Sequence, residues 1–268
     1  MKFLLAVMAA LVLACNVSAA DKPAPKAEKQ ADDLMVSMKS EVLNKYVFRG
    51  QLVNDDPVTQ STVTIKKGMF ELAFFGNMDL TDINEDSGDF TEMDVRLGID
   101  KQIFSRANGI LRSVDVLAGV EYFSFPNTDR DSTAEVYAGA RVTLPYNIVS
   151  ETVAHLDVDE ASGGVYLSEE IKRDFKLTKV SLFKRDFEVV ATPKFGIGVG
   201  SAEYNENYWD VDEFCTSNLF AEIAVMLKNE KIEFGPSIRY VSVVGDDLRD
   251  EVVDNEHVVY GFSLGMKF

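Results

Sequence analysis

The pentapeptide Gly261-Phe262-Ser263-Leu264-Gly265 has the spacing of a nucleophile elbow, which presents its serine on a sharp strand-to-helix turn. Here it lies within an alternating segment three residues from the C-terminus, with no helical pattern after it to supply an oxyanion donor. Gly196-Ile197-Gly198-Val199-Gly200 resembles a dinucleotide loop only in part, because the third glycine is misplaced and no helical pattern follows. Alternate glycines on one strand face instead relieve crowding in a barrel lumen. His155 shares its parity with Glu151 and Asp157, and a His–carboxylate pair could orient a general base. No serine or acid partner is evidently placed beside it, and inward charges in barrels usually form solvated ion pairs. His257 reads as an exposed loop-end residue. The stretch Asp157 to Gly163 and the acidic run Glu203 to Glu213 offer oxygen ligands to divalent cations, without EF-hand spacing. Their default reading is solvated loop charge, with weak divalent bridging to anionic lipid headgroups. The sequence therefore argues for no enzyme, no cofactor and no dedicated metal centre.

What would position these residues is read from periodicity. From Leu34 onward the repeat is close to two residues, not 3.6. Between Phe90 and Asp100, Thr91, Met93, Val95, Leu97 and Ile99 alternate with Glu92, Asp94, Arg96, Gly98 and Asp100. The same alternation runs through Thr133 to Leu144 and through His257 to Phe268. A soluble sandwich also alternates, but its strands usually run to 5 or 6 residues, whereas a tilted membrane-spanning strand needs about 9 to 11. Strands are expected at 34–49, 58–66, 69–80, 90–103, 109–123, 133–144, 148–157, 163–172, 186–201, 216–228, 231–244 and 256–268. Segment 173–185 alternates too, and either lengthens its neighbours or forms a small hairpin. The expected fold is all-β: a transmembrane antiparallel up-and-down β-barrel of about 12 strands over residues 34–268.

The start of the chain carries an address. Lys2, the apolar run Phe3 to Ala14 and Val17-Ser18-Ala19-Ala20 make a cleaved signal peptide at 1–20, too short to span a bilayer. A rival reading is a lipoprotein signal with acylation at Cys15. Cleavage leaves Cys215 as the remaining cysteine, a spare thiol in or beside a long loop. Residues 21–33, rich in Ala, Lys and Pro, read as a flexible periplasmic tail.

Charge sorts the connections. The chain has 27 Lys+Arg against 44 Asp+Glu, a formal charge of −17, which argues against a nucleic-acid partner. The long connections (50–57, 80–89, 124–132, 158–163, 201–215 and 245–255) hold 20 acids, against Arg130 and Arg249. The short ones hold Lys66-Lys67, Lys101 with Arg106, a basic cluster around 172–186, and Lys228 with Lys231. Outer-membrane barrels keep short turns in the periplasm and long loops outside, so both termini are expected in the periplasm. Tyr46, Phe48, Tyr122, Phe123, Phe125, Tyr208 and Trp209 are expected in an outer aromatic girdle, and Phe104, Tyr146 and Phe268 in an inner one.

Parity names the inward, pore-lining residues: Lys39, Glu41, Lys45 and Arg49; Glu92, Asp94, Arg96 and Asp100; Glu135 and Arg141; Glu188 and Lys194; Glu222 and Arg239. Opposite charges are expected to face each other across water. Twelve strands fall between the filled eight-stranded barrels and the open sixteen-stranded porins. The expectation is a narrow passive pore for ions or small polar solutes, cation-preferring because of its acidic mouth. The alternatives are a closed structural or surface-binding barrel, and an outer-membrane hydrolase using His155. Expected partners are outer-membrane lipid, the barrel-assembly machinery and divalent cations at the acidic loops; the oligomeric state is open.

Two motifs carry a resemblance. Phe268, closing an alternating aromatic strand, is similar to the terminal signal read by the barrel-assembly machinery. Lys45-Tyr46-Val47-Phe48-Arg49-Gly50, followed by Pro57 and an alternating second strand, resembles the TorF-like family of outer-membrane porins. The likeness covers most of the mature chain in layout, with the five residues YVFRG as its sharpest motif. It implies the barrel fold and carries over no catalytic residue.

Overall fold

The computed structural model describes residues 33–81 and 87–268. The expected leader, Cys15 and the tail through residue 32 lie outside them. The strands are β1 (Met35–Leu43), β2 (Tyr46–Phe48), β3 (Gln51–Asn54), β4 (Val58–Lys67), β5 (Phe70–Asp79), β6 (Phe90–Ser105), β7 (Ser113–Ser124) and β8 (Thr133–Thr143). They continue with β9 (Ile148–Asp157), β10 (Val165–Arg173), β11 (Phe175–Leu182), β12 (Arg185–Gly200), β13 (Cys215–Lys228), β14 (Ile232–Val243) and β15 (Glu256–Lys267). Two short helices, α1 (Ala202–Trp209) and α2 (Asp246–Glu251), interrupt the last two long connections.

Every strand but β2 and β3 belongs to one antiparallel sheet that closes on itself. β1 pairs with β4 on one edge and with β15 on the other. β10 pairs with both β9 and β12. β11 continues β10 past Asp174 and follows the same partner, from Lys172↔Lys194 through Phe175↔Ala191 to Leu182↔Arg185. The wall is thus a closed 12-strand barrel. Segment 173–185 lengthens both of its neighbours into one ribbon, turning at Phe183 and Lys184, whose φ angles of 52° and 62° suit a tight two-residue hairpin.

The barrel is apolar outside and polar inside, the reverse of a soluble sandwich. Leu97 is 54% exposed and Phe195 61%, while Asn77, Glu135 and Asp157 are at 0%, 2% and 1%. An alternating strand can do this only where the outer surface meets lipid, because the same exposed band in water would be a large unfavourable patch. Ser37↔Lys267 brings the start of β1 and the end of β15 to one rim, which also carries the short turns; the long connections lie at the opposite, far rim.

The first strand is shorter than its periodicity suggests. It stops at Leu43, and the alternation from Tyr46 onward belongs to a separate β2–β3 hairpin. Asn44 makes the break. Its backbone N–H donates to the Tyr260 carbonyl, its side-chain amide donates to the Val258 carbonyl, and its Oδ1 accepts from the Tyr260 N–H at 2.7 Å. One residue thus satisfies the β15 edge beyond the end of β1, and the chain leaves the wall without orphaning those groups.

Glycine spacing on β12 makes room within this wall. A Cβ on Gly196 would collide with the Phe220 ring, and one on Gly198 with the Tyr166 hydroxyl and Asn218. Gly198→Val should therefore cost on the order of 1–3 kcal/mol by overpacking. Urea unfolding of the refolded barrel, followed by Trp209 emission, measures it; an unchanged midpoint would show that the lumen has room to spare.

Candidate functional site

The β2–β3 hairpin folds into the lumen instead of out toward solvent. Phe48↔Gln51 leaves a two-residue turn, Arg49-Gly50, with φ angles of 50° and 96°. Both signs are those of a type I′ turn, which fits hairpin twist but strains a non-glycine first residue. Gly50 is required at the second position: its Cβ would lie 2.8 Å from Asn218 Cβ, so the tip reaches β13 across the lumen. On the way Tyr46 packs on Phe75 of β5 at 6.5 Å between ring centroids, and Phe48 packs on Phe123 of β7 at 6.2 Å.

Arg49 fixes this position. Its two terminal nitrogens donate to the two Glu135 oxygens at 2.6 and 2.7 Å, the fork-on-fork geometry of a strong ion pair. Side-chain exposures are 10% and 3%. The guanidinium also lies 4.5 Å from the Tyr166 ring centroid and 4.7 Å from that of Phe48, so π faces cover what the carboxylate does not. Glu135 Oε2 is 3.0 Å from His155 Nδ1 as well. The acid partner of His155 is therefore Glu135, not Glu151, which binds Arg141 at 2.6 Å, nor Asp157. Glu121, Glu135 and His155 bring their ligand atoms within 4.8 Å of one another, but both Glu135 oxygens are already engaged by Arg49.

From the far rim α1 closes over the same point. Ser201 caps it, accepting the Tyr204 N–H at 3.2 Å, and Asp210 ends it in the left-handed region. Tyr204 stacks on Tyr166 at 5.3 Å and on Tyr208 at 4.6 Å. Tyr208 donates to Asp157 Oδ2 at 2.8 Å, and burial together with that carboxylate pushes its hydroxyl pKa well up. Asp157 also accepts from Thr133 Oγ1 and from the Asp159 and Ala161 N–H groups, so it organises a turn. Trp209 packs against Val243 and Leu248 of α2.

The hairpin divides the lumen. A chamber of about 630 Å³ is lined by Glu41, Thr62, Phe75, Asp94, Arg96, Glu121, Lys194, Glu222 and Arg239, among others. A second, of about 300 Å³, is lined by Gln51, Glu92, Arg130, Thr133, Glu135 and Tyr208. Phe48, Arg49 and Phe123 border both, so they form the partition between them.

The expected lining residues mostly pair along the wall rather than across water. Arg96–Glu121 and Arg239–Glu222 are direct cross-strand neighbours at 2.6 Å, as is Arg141–Glu151; Arg141 also holds Asp100 at 3.0 Å. Lys39 binds Glu41 at 2.8 Å, Lys194 lies 3.8 Å from Glu222, and Glu188 binds Lys176 at 2.7 Å. The cause is spacing: directly opposed residues on one sheet face are about 5 Å apart, so the nearest opposite charge is next door. Lys45 and Arg49 are not wall residues; Lys45 pairs with Asp55 within the infolded connection. Glu92 accepts from the Tyr46 hydroxyl at 3.3 Å, and Asp94 Oδ1 has no hydrogen-bond donor among the described residues. The outer girdle loses Tyr46, Phe123 and Trp209, all buried, and also Phe48 and Tyr208, which pack on Phe123 and Tyr204 inside, while Tyr122 does face outward. His257 is buried at 4% exposure, facing inward on β15, not at an exposed loop end. Phe268 donates its N–H to the Val36 carbonyl at 2.8 Å and leaves its ring exposed. Parity also marks Glu121, Tyr166 and Asn218 as inward, whereas the only sequence signal for Tyr204 is the Ser201 cap with Glu203 in the first turn.

No family model matches the chain, and no curated protein matches it. Among solved structures it is similar to the KdgM porin, with 9% identity, a TM-score of 0.45, and 87% of this chain and 99% of that one covered. It is also similar to the NanC porin, with 10% identity, a TM-score of 0.46 and 87% and 100% covered. An outer membrane channel from Pseudomonas putida gives 11%, 0.46, 92% and 100%.

Two tests follow from the site. Arg49→Ala strands Glu135, and Glu135→Gln strands Arg49; each should cost about 3–5 kcal/mol if water stays out, less as it enters. In the double variant the two losses should fall well short of additive, and full additivity in urea unfolding would mean that the pair carries no coupling. At the far rim, a hydrogen bond shared with Asp247 raises the Glu213 pKa above its ordinary value. A raised folded pKa gives stability that is present at low pH and lost as pH rises through it. Trp209 emission should therefore shift red on raising the pH from about 4, the ordinary glutamate range, and Glu213→Gln should flatten that response; an identical titration in the variant would rule the pair out.

Proposed function

We propose that this chain is a passive outer-membrane pore for small cations, with its aperture set by the infolded β2–β3 hairpin. The observation that carries the reading is a charged, chambered lumen inside an apolar exterior, partitioned at Phe48, Arg49 and Phe123. Such a lumen excludes large solutes by width and sorts small ones by charge. The wall strands β5 to β7 favour cations: Glu71, Glu92, Asp94 and Glu121 outnumber the nearby Arg96. The acidic connections at the far rim add to this by concentrating counter-ions at the entrance. In this reading that rim faces outward and both termini lie in the periplasm, consistent with long acidic loops at one end and short basic turns at the other. The TorF-like motif Tyr46 to Gly50 forms the hairpin itself, which accords with a role in the pore.

One observation favours a second reading, a closed barrel with a structural or surface-binding role. The bidentate Arg49–Glu135 pair and the packed rings around it leave the partition well filled.

Planar-bilayer recording of the refolded mature chain under a potassium chloride gradient separates the two. Discrete steps with a cation-selective reversal potential are expected, and Arg49→Ala should raise the unit conductance. Neutralising far-rim acids should weaken selectivity mainly at low salt, because the Debye length at 0.1 M is about 10 Å. Silence from both the folded wild type and a variant lacking residues 45–55 would sink the pore reading.

A further inference from the structure

We propose that the lumen wall at Asp94 is a binding site for an organic ammonium ion. The proposal deepens the pore reading by naming a solute class, but binding can be measured without conduction. Asp94 lies directly between Phe75 and Phe123 in register, so both rings stand on its face of the sheet as nearest neighbours. The hairpin supplies two more rings. Tyr46 packs on Phe75, Phe48 packs on Phe123, and Tyr46 lies 6.4 Å from Phe48. Four rings thus run from one flank of Asp94 to the other, and all five side chains line the larger chamber.

Asp94 itself is 7% exposed, and its Oδ1 has no hydrogen-bond donor among the described residues. A buried carboxylate oxygen left unbonded among aromatic rings is costly, and a cation seated in the box would remove that cost. Of the other acids nearby, Glu92 accepts from the Tyr46 hydroxyl and lies against the Asp94 carboxyl, adding negative charge to the site, while Glu121 is held by Arg96, which also stacks on Tyr137. A calcium or magnesium ion needs six or more oxygen ligands, more than Asp94 and Glu92 supply between flanking aromatic side chains. An alkylammonium group needs one counter-charge and aromatic faces, which is what the box holds.

The test uses the refolded mature protein in detergent, with tetramethylammonium chloride as probe and saturation-transfer NMR of its methyl groups as readout. Saturable binding is expected, weakened at least tenfold in Asp94→Asn and about 3- to 30-fold in Phe123→Leu, the range of one desolvated cation–π contact. Both variants are checked for the heat-modifiable band of a folded barrel. Unsaturable signal in the wild type, or equal binding in folded Asp94→Asn, overturns the proposal, as does an Asp94-dependent response to calcium chloride alone. Binding without channel activity would sink the pore reading and leave the site standing; cation current without binding would do the reverse.

Discussion

Closing twelve alternating strands into a cylinder forces one parity of every strand into a single narrow space. Side chains on that face are confined to the lumen, so most inward charges find a partner on the wall or on a segment that folds in, and Asp94 Oδ1 stands out for finding no donor among the described residues. The wall solves most of this locally, through cross-strand pairs such as Arg96–Glu121 and Glu222–Arg239. Glu135 is solved differently. Its cation arrives from outside the wall, on the hairpin turn at Arg49. That pairing links the barrel's charge balance to its aperture, since the segment that satisfies Glu135 also divides the lumen.

The wall was legible in the sequence because a period of two is hard to hide over ten or more residues. The twelve strands and the sides of Glu92, Asp94 and Arg96 follow from it, while for 173–185 it leaves open whether the segment lengthens its neighbours or forms a separate hairpin. The hairpin was not legible for the same reason. Tyr46-Val47-Phe48-Arg49 keeps the alternation of the strand before it, so periodicity carries straight past the break at Asn44. What ends the strand is a side chain–backbone exchange with Val258 and Tyr260, more than two hundred residues away, and no local pattern records that. The turn signal was weak as well, since Arg-Gly is not among the pairs that usually announce a type I′ turn.

Aromatic residues carry a related ambiguity. A tyrosine or phenylalanine near a strand end suits an interfacial girdle and suits an internal packing surface equally well. Tyr122 and Phe123 are adjacent, yet one faces lipid and the other faces Phe48. Parity alone could have separated them, because Phe123 shares the inward side with Glu121. Helix α1 shows the opposite case. Its cap at Ser201 was a readable signal, but the acidic stretch around it looked like solvated loop, and the burial of Tyr204 and Trp209 comes only from tertiary contact.

Two different forces act on the hairpin, and they do different work. Its holding energy comes mainly from ring burial, as Tyr46 on Phe75 and Phe48 on Phe123 remove apolar area from a water-lined space. The Arg49–Glu135 pair adds less net attraction than its geometry suggests, because both ions give up hydration to meet. What the pair does supply is position. Fork-on-fork bonding admits one orientation, and it sets the tip against Asn218 where only glycine fits at position 50. A hairpin held by rings alone could slide along the lumen; one pinned by a bidentate ion pair cannot slide without breaking it. The partition is therefore a defined structure, positioned by the ion pair and held largely by the aromatic contacts on either side of Asp94.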